Sequence, residues 1–95
     1  MVGGLTVSPE SKVERVLVSA VSRLGGVAYK FVSPSRRGVP DRLVVLPGGR
    51  IVFVEVKSAV GKLSPLQQIE IRRLRGLGAR VEVVGSIEAV AEALA

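Results

Sequence analysis

Ninety-five residues make one domain with a modest core, and a 47% hydrophobic fraction argues for a folded globule and against disorder. The chain has no Cys and no His, which excludes disulfides, structural zinc, thiol nucleophiles and histidine acid–base chemistry; any metal must sit on oxygen ligands, which favours magnesium or manganese. A net charge of +6 and a pI near 10.8 point to an acidic partner, nucleic acid before membrane, and with Tyr29, Phe31 and Phe53 as the only aromatics, phosphate contacts should outweigh base stacking.

Residues 1–7 form a short Gly-containing lead, expected to be loosely held ahead of a single domain that fills 1–95. Met1–Val7 is too short for a signal peptide and lacks its charged start, and no apolar run approaches the roughly 20 residues of a membrane span. An intracellular, cytoplasmic location with no membrane partner is the expectation. Ser8-Pro9 then starts a helix, Ser as N-cap and Pro at the first helical position. Val13, Val16, Leu17, Ala20, Val21 and Leu24 form its apolar stripe, and Gly25-Gly26 ends it. Glu10 lies on the flank of that stripe, nearer its centre than Glu14. Its ordinary role is an acid in the first turn that suits the helix dipole, and a role in a site competes with it evenly.

Val27–Val32 reads as a first strand, and Ser33–Gly38 as a polar loop carrying Arg36 and Arg37. Adjacent loop arginines are often mere solvated surface. Standing directly before Asp41, these two favour phosphate binding. Leu43–Leu46 and Ile51–Val56 are two apolar runs separated by Pro47-Gly48-Gly49, a tight hairpin, and the second is apolar on both faces, as a buried central strand would be. It ends Glu55-Val56-Lys57. Side chains two apart on a strand share a face, so Glu55 and Lys57 point the same way, one strand from Asp41. With about a quarter of residues charged in an average chain, Glu-x-Lys alone is close to chance. Asp41 shifts that balance: it is the only Asp, and from Arg15 through Gln68 the only acids are Asp41 and Glu55, against nine Lys or Arg. Two lone carboxylates in a basic field suggest a site where a cation meets a polyanion.

Lys62 lies in the next loop, a further candidate phosphate contact. Ser64-Pro65-Leu66-Gln67 opens the second helix as a capping box. Ile71 and Leu74 follow Gln67 by four and seven, which puts Gln67 on the inward face, so its amide is claimed both by the cap and by the site. Gly76 and Gly78 end this helix, Arg80–Val84 forms the last strand, and Ser86 caps a final amphipathic helix to Leu94. The order αβββαβα predicts an α/β fold, a mixed central sheet flanked by helices.

Gly38-Val-Pro-Asp41 followed by Glu55-Val-Lys57, in this order of elements, resembles the PD-(D/E)xK nuclease superfamily with its restriction-endonuclease-like core. Glu10 ahead of it, Lys30-Phe31 after Gly25-Gly26, and Leu63-Ser-Pro-Leu-Gln67 after the lysine make the sequence similar to the compact stand-alone VRR-NUC (virus-type replication-repair nuclease) domain, from about Ser8 to Ser86. The resemblance implies a magnesium- or manganese-dependent DNA endonuclease, a homodimer acting on branched DNA such as Holliday junctions, in a prokaryotic or viral (prophage) setting. It implies that Asp41, Glu55 and the Val56 carbonyl hold the ion, and that Lys57 orients water and opposes developing charge. Glu10, better spaced to Lys30 than Glu14 as the first-helix acid, would complete the metal shell or a second site, and Gln67 would bond the water or a ligand carboxylate. Lys30, Arg36, Arg37, Arg42 and Lys62 are then the expected nucleic-acid contacts. Two competing readings remain: an archaeal-type Holliday junction resolvase, which shares the core but tends to lack the Gly-x-Pro and the Gln-bearing helix start, and a non-catalytic basic DNA-binding module in which Glu55 and Lys57 are a structural ion pair.

Overall fold

The structure, a computed structural model, describes residues 8–58 and 60–95; the lead of residues 1–7 lies outside the described residues. Helix α1 (Pro9–Arg23) begins where the Ser8 Oγ accepts the Ser11 amide at 3.1 Å. Val13, Leu17 and Val21 are buried one turn apart, with Val16 and Ala20 packed beside them. Leu24, expected on the same stripe, is half exposed instead. It is the C-cap, and the chain turns off the helix there: Gly25, at φ +83°, and Gly26 donate their amides back to the Ser22 and Val21 carbonyls, a Schellman end that favours a residue without a Cβ.

Strands β1 (Val27–Lys30), β2 (Arg42–Leu46), β3 (Arg50–Val56) and β4 (Val81–Val84) form one sheet in the order β1-β2-β3-β4. The first three pair antiparallel, and β4 joins β3 parallel after a crossover through helix α2 (Pro65–Gly76). The fold is therefore α/β with a mixed sheet, as the element order predicts. β1 stops two residues short of the expected Val32. The Phe31 amide still reaches the Asp41 carbonyl at 2.9 Å, but β2 begins at Arg42, and Val32, with no strand beside it, is largely exposed.

The hairpin turn is a single tight turn over Pro47–Gly49, with Leu46 opposite Arg50. Val44, Leu46, Val52, Val54 and Val56 are buried on the sheet face that meets α1. The expectation that β3 is buried on both faces holds only in part: Ile51, on the other face, is half exposed. Helix α2 covers that face toward β4, where Ile71 and Val81 are buried, and leaves the β1–β2 side open. The last helix is shorter than its pattern suggests. The Ser86 carbonyl takes the Ala89 amide three residues on, which winds Ile87–Ala89 as a tight 3-10 turn before α3 (Val90–Ala93). Val90, Ala93 and Leu94 nonetheless close the core over α1. Among the described residues no helix is long and apolar enough to cross a membrane.

Candidate active site

The hairpin register decides what meets what. Arg42 pairs with Val54, so the next position outward sets Asp41 against Glu55, on the face opposite the valine core. There the two strands part. Asp41 closes the gap with its side chain, Oδ2 accepting the Val56 amide at 3.0 Å, while its own carbonyl accepts from Phe31. Amide and carbonyl of one strand residue point to the same side, so the Val56 carbonyl also faces Asp41.

Two residues fix the approach to Asp41. Pro40 is buried, and Gly38 sits at φ +84° against the start of α2, where a Cβ would fall 2.6 Å from the Leu66 carbonyl carbon and oxygen and 2.9 Å from the Gln67 nitrogen. Only glycine allows the loop so close. The loop and the helix carrying Gln67 are thereby held as one piece.

Glu55 is 1% exposed. Its Oε2 accepts the Gln67 Nε2 at 2.9 Å and lies 3.6 Å from the Lys57 ammonium, whereas its Oε1 is buried with no partner among the described residues. Burial, then the neighbouring Asp41 carboxylate, push the Glu55 carboxyl up to about 7; Lys57 pulls the other way without cancelling them. Gln67 serves both of the roles the sequence left open. Its Oε1 accepts the Ser64 amide at 2.9 Å and the Ser64 Oγ accepts the Gln67 amide at 3.2 Å, completing the capping box, and Nε2 is left for Glu55.

The structure thus brings together Asp41, Glu55, Val56, Lys57 and Gln67. Glu10 makes no hydrogen bond or ion pair with them but faces the same cleft. It is exposed and lines, with Glu14, Lys30, Phe31, Asp41 and Val56, a cleft of about 310 Å³ at the end of the sheet. Among the described residues no three acidic side chains form a metal-sized cluster. Glu14 is the more buried of the two helix acids, contrary to their placement on the stripe, because Glu10 lies in the first turn and Glu14 reaches Arg42. Nε and Nη2 of Arg42 both bond Glu14 Oε2 at 3.0 Å, and Nη1 bonds the Ala28 carbonyl at 3.0 Å. The Arg42 guanidinium, expected on nucleic acid, is spent inside the protein.

Lys62 is exposed, as are Arg36 and Arg37. Arg36 lies 3.6 Å from Glu70, a buried acid on α2 that also accepts from Arg73 at 3.1 Å. Neither Glu70 nor a site role for Arg73 is among the features the sequence singles out. Their signal was present: an acid three residues after Gln67 and three before an arginine shares its side of the helix with both.

Asp41, Glu55 and the Val56 carbonyl are hard oxygen donors, and a cation would satisfy the orphaned Glu55 Oε1. The residues present fit a hard divalent ion.

Residues 8–88 match the VRR-NUC domain family. Over 77 residues the chain is 56% identical to the protein named "Putative nuclease p44" of Acyrthosiphon pisum secondary endosymbiont phage 1, covering 81% of this chain and 83% of that one. A 35-residue stretch is 49% identical to the "UPF0102 protein" of Thermotoga maritima, 37% of this chain and 32% of that protein. A solved structure described as "VRR_NUC domain" superposes with a TM-score of 0.86 at 40% identity, over 92% of this chain and 95% of that one. The chain belongs to the VRR-NUC nuclease domain family.

Proposed function

We propose that this nuclease is a divalent-metal-dependent DNA endonuclease that hydrolyses phosphodiester bonds, prefers branched DNA such as four-way junctions, and acts as a homodimer. The observation that carries the metal requirement is Glu55: a carboxylate with one buried oxygen unpartnered, beside a second carboxylate, in a protein of net charge +6. Asp41, Glu55 and the Val56 carbonyl would hold magnesium or manganese, with Glu10 reaching in from across the cleft. The chemistry such an ion supplies is neutralisation of phosphate charge and activation of water near neutral pH.

The chain's own groups then have separate tasks. Gln67 holds Glu55 Oε2 in place, so Oε1 keeps one direction. The Val56 amide does the same for Asp41 Oδ2. Lys57, on the same strand face as Glu55 and mostly shielded from water, presents an ammonium where the phosphate gains charge. Lys30 on the cleft wall, with Arg36, Arg37 and Lys62 outside it, supplies phosphate contacts.

Support for the homodimer comes from the open sheet face. Val27 and Tyr29 on the edge strand, and Ile51 across from them, are each about half exposed on one side of the sheet. Two such faces meeting isologously would match the two symmetric scissile strands of a junction. The test is a panel of labelled duplex, flap, single-stranded and four-way-junction DNAs, with magnesium, manganese or chelator, and sedimentation with and without junction. Cutting of the junction only with metal is expected, by a dimer. Salt-sensitive binding without any cutting would return the non-catalytic reading.

A further inference from the structure

Outside the carboxylate site, a second cleft of about 300 Å³ runs between the Ser33–Gly38 loop and α2. Arg36, Arg37 and Arg73 line it over the half-exposed Leu66 and Ile69. At its base lies Glu70, 6% exposed. A buried carboxylate is costly unless paired, and Glu70 is paired with two arginines from two different elements. Arg73 donates its Nε to Oε1 at 3.1 Å; Arg36 Nη1 stands 3.6 Å from the same oxygen, outside hydrogen-bond range, on a side chain 55% exposed. The two bonds differ in kind. Arg73 is anchored through Nε, with its two terminal nitrogens without a protein partner among the described residues, while Arg36 is held by charge alone and can leave.

We infer that this cleft is a phosphodiester-binding clamp for a strand of the DNA substrate beyond the scissile phosphate, with Arg36, Arg37 and Arg73 as contacts and Glu70 as the positioning residue that orders Arg36 and Arg73. The inference rests on the nuclease reading for the identity of the polyanion. The fork of a guanidinium held at Nε presents its remaining donors in a fixed plane, which suits two phosphate oxygens. Arg36 exchanges Glu70 for phosphate when DNA arrives, and Arg73 then keeps Glu70 neutralised. Aromatic side chains are absent from the cleft, so the backbone rather than the bases is gripped. The clamp is joined to the carboxylate site by Gly38, whose backbone abuts Leu66 and Gln67. A strand seated there fixes the loop that leads into Asp41.

Binding of fluorescein-labelled duplex and four-way junction by anisotropy, in calcium or in chelator, reads the clamp without cleavage. Arg73→Ala is expected to weaken both DNAs roughly fivefold and to shallow the salt dependence by about one unit. Arg72→Ala, one residue along but lining a different cleft with Leu63, Gln68 and Arg75, is expected to change neither. Glu70→Gln decides the positioning role by its sign. Removing a negative charge beside three arginines would by Coulomb's law alone tighten polyanion binding; loss of the ordering group weakens it. Weakening of about threefold, abolished when Arg36 and Arg73 are already alanine, is the expected result. Tighter binding by Glu70→Gln, or equal losses from Arg72→Ala and Arg73→Ala, would overturn the clamp. Melting curves establish that each variant is folded, and Glu70→Gln keeps the side-chain shape. Intact metal-dependent cleavage with equal binding by the two arginine variants sinks the clamp alone; wild-type protein that keeps the Arg73-over-Arg72 difference but never cuts sinks the nuclease reading alone.

Discussion

The Gln67 amide donates to Glu55 Oε2 at 2.9 Å while its own oxygen is held by the Ser64 amide at 2.9 Å. One side chain therefore joins the first turn of α2 to the strand carrying the buried carboxylate. A capping side chain is ordered for local reasons, and here that order is handed to a functional group at no further entropic cost.

Gln67→Ala removes both ends of this link. A loss of about 1–3 kcal/mol is expected, the sum of a lost cap contact and a lost bond to a charged acceptor. Gln67→Glu separates the two. The cap survives, but a carboxylate now faces Glu55 Oε2, so destabilisation should be small in acid and grow above neutrality. Denaturant melts in chelator at about pH 5 and about pH 8 measure both variants; a Gln67→Glu protein equally stable relative to wild type at the two pH values would show that the bond to Glu55 carries no weight.

Glu55→Gln and Asp41→Asn are expected to abolish cleavage while leaving DNA binding in place. Without metal, each should raise stability at about pH 8, by on the order of 1–3 kcal/mol, because the buried Glu55 carboxylate and the half-buried Asp41 no longer repel each other. Activity assays in magnesium and parallel melts in chelator check the pair of outcomes. Cutting at the wild-type rate by either variant would remove that residue from the site.

The pH dependence has a definite sign. Folded, Glu55 titrates at about 7, against 4.5 for an ordinary glutamate. Between these values the folded protein keeps a proton that the unfolded chain has released, so metal-free stability falls as pH rises through the window and levels off above it. At about 1.4 kcal/mol per pH unit, the full drop is on the order of 3 kcal/mol. Glu55→Gln should flatten the curve in that window. A wild-type stability that rises from about pH 5 to about pH 7 would contradict the environment described for Glu55.

Magnesium or manganese must displace that proton to bind. The rise in melting temperature on adding metal should therefore be larger at about pH 8 than at about pH 6, and calcium should reproduce the trend without cutting. Thermal shift titrations across pH give the comparison directly. In Glu55→Gln the metal-induced shift should vanish.

Much of this site could be read from the chain because its parts are tied to local patterns. The Gly38–Asp41 approach, the Glu55-x-Lys57 strand end and the Ser64–Gln67 cap each declare themselves within a few residues, and the strand alternation that faces Glu55 and Lys57 alike is a property of the backbone. What escaped notice depends on packing between distant elements. Arg42 read as one more basic residue, and only the packing of α1 against β1, the strand beside Arg42, delivers Glu14 to it. Glu70 carries no local signal of burial, and it is buried because the arginine-bearing loop folds down over α2. Leu24 fits its stripe by angle alone, which carries no information about where the helix ends.

The turn at Pro47–Gly49 lies at the far end of the hairpin from Asp41, yet it acts as the ruler of the site. From Leu46 opposite Arg50 to Arg42 opposite Val54 there are five rungs, spanning roughly 14 Å at about 3.4 Å per residue. The sixth position is the carboxylate pair. A slip of one residue at the turn would swap every side chain of β3 to the other face, sending Glu55 into the layer now filled by Val52, Val54 and Val56 and leaving Asp41 opposite a valine. Such a mis-set hairpin carries its own penalty, an unpaired charge among aliphatic side chains. The same acid that costs the fold stability thus proofreads the alignment on which its chemistry depends.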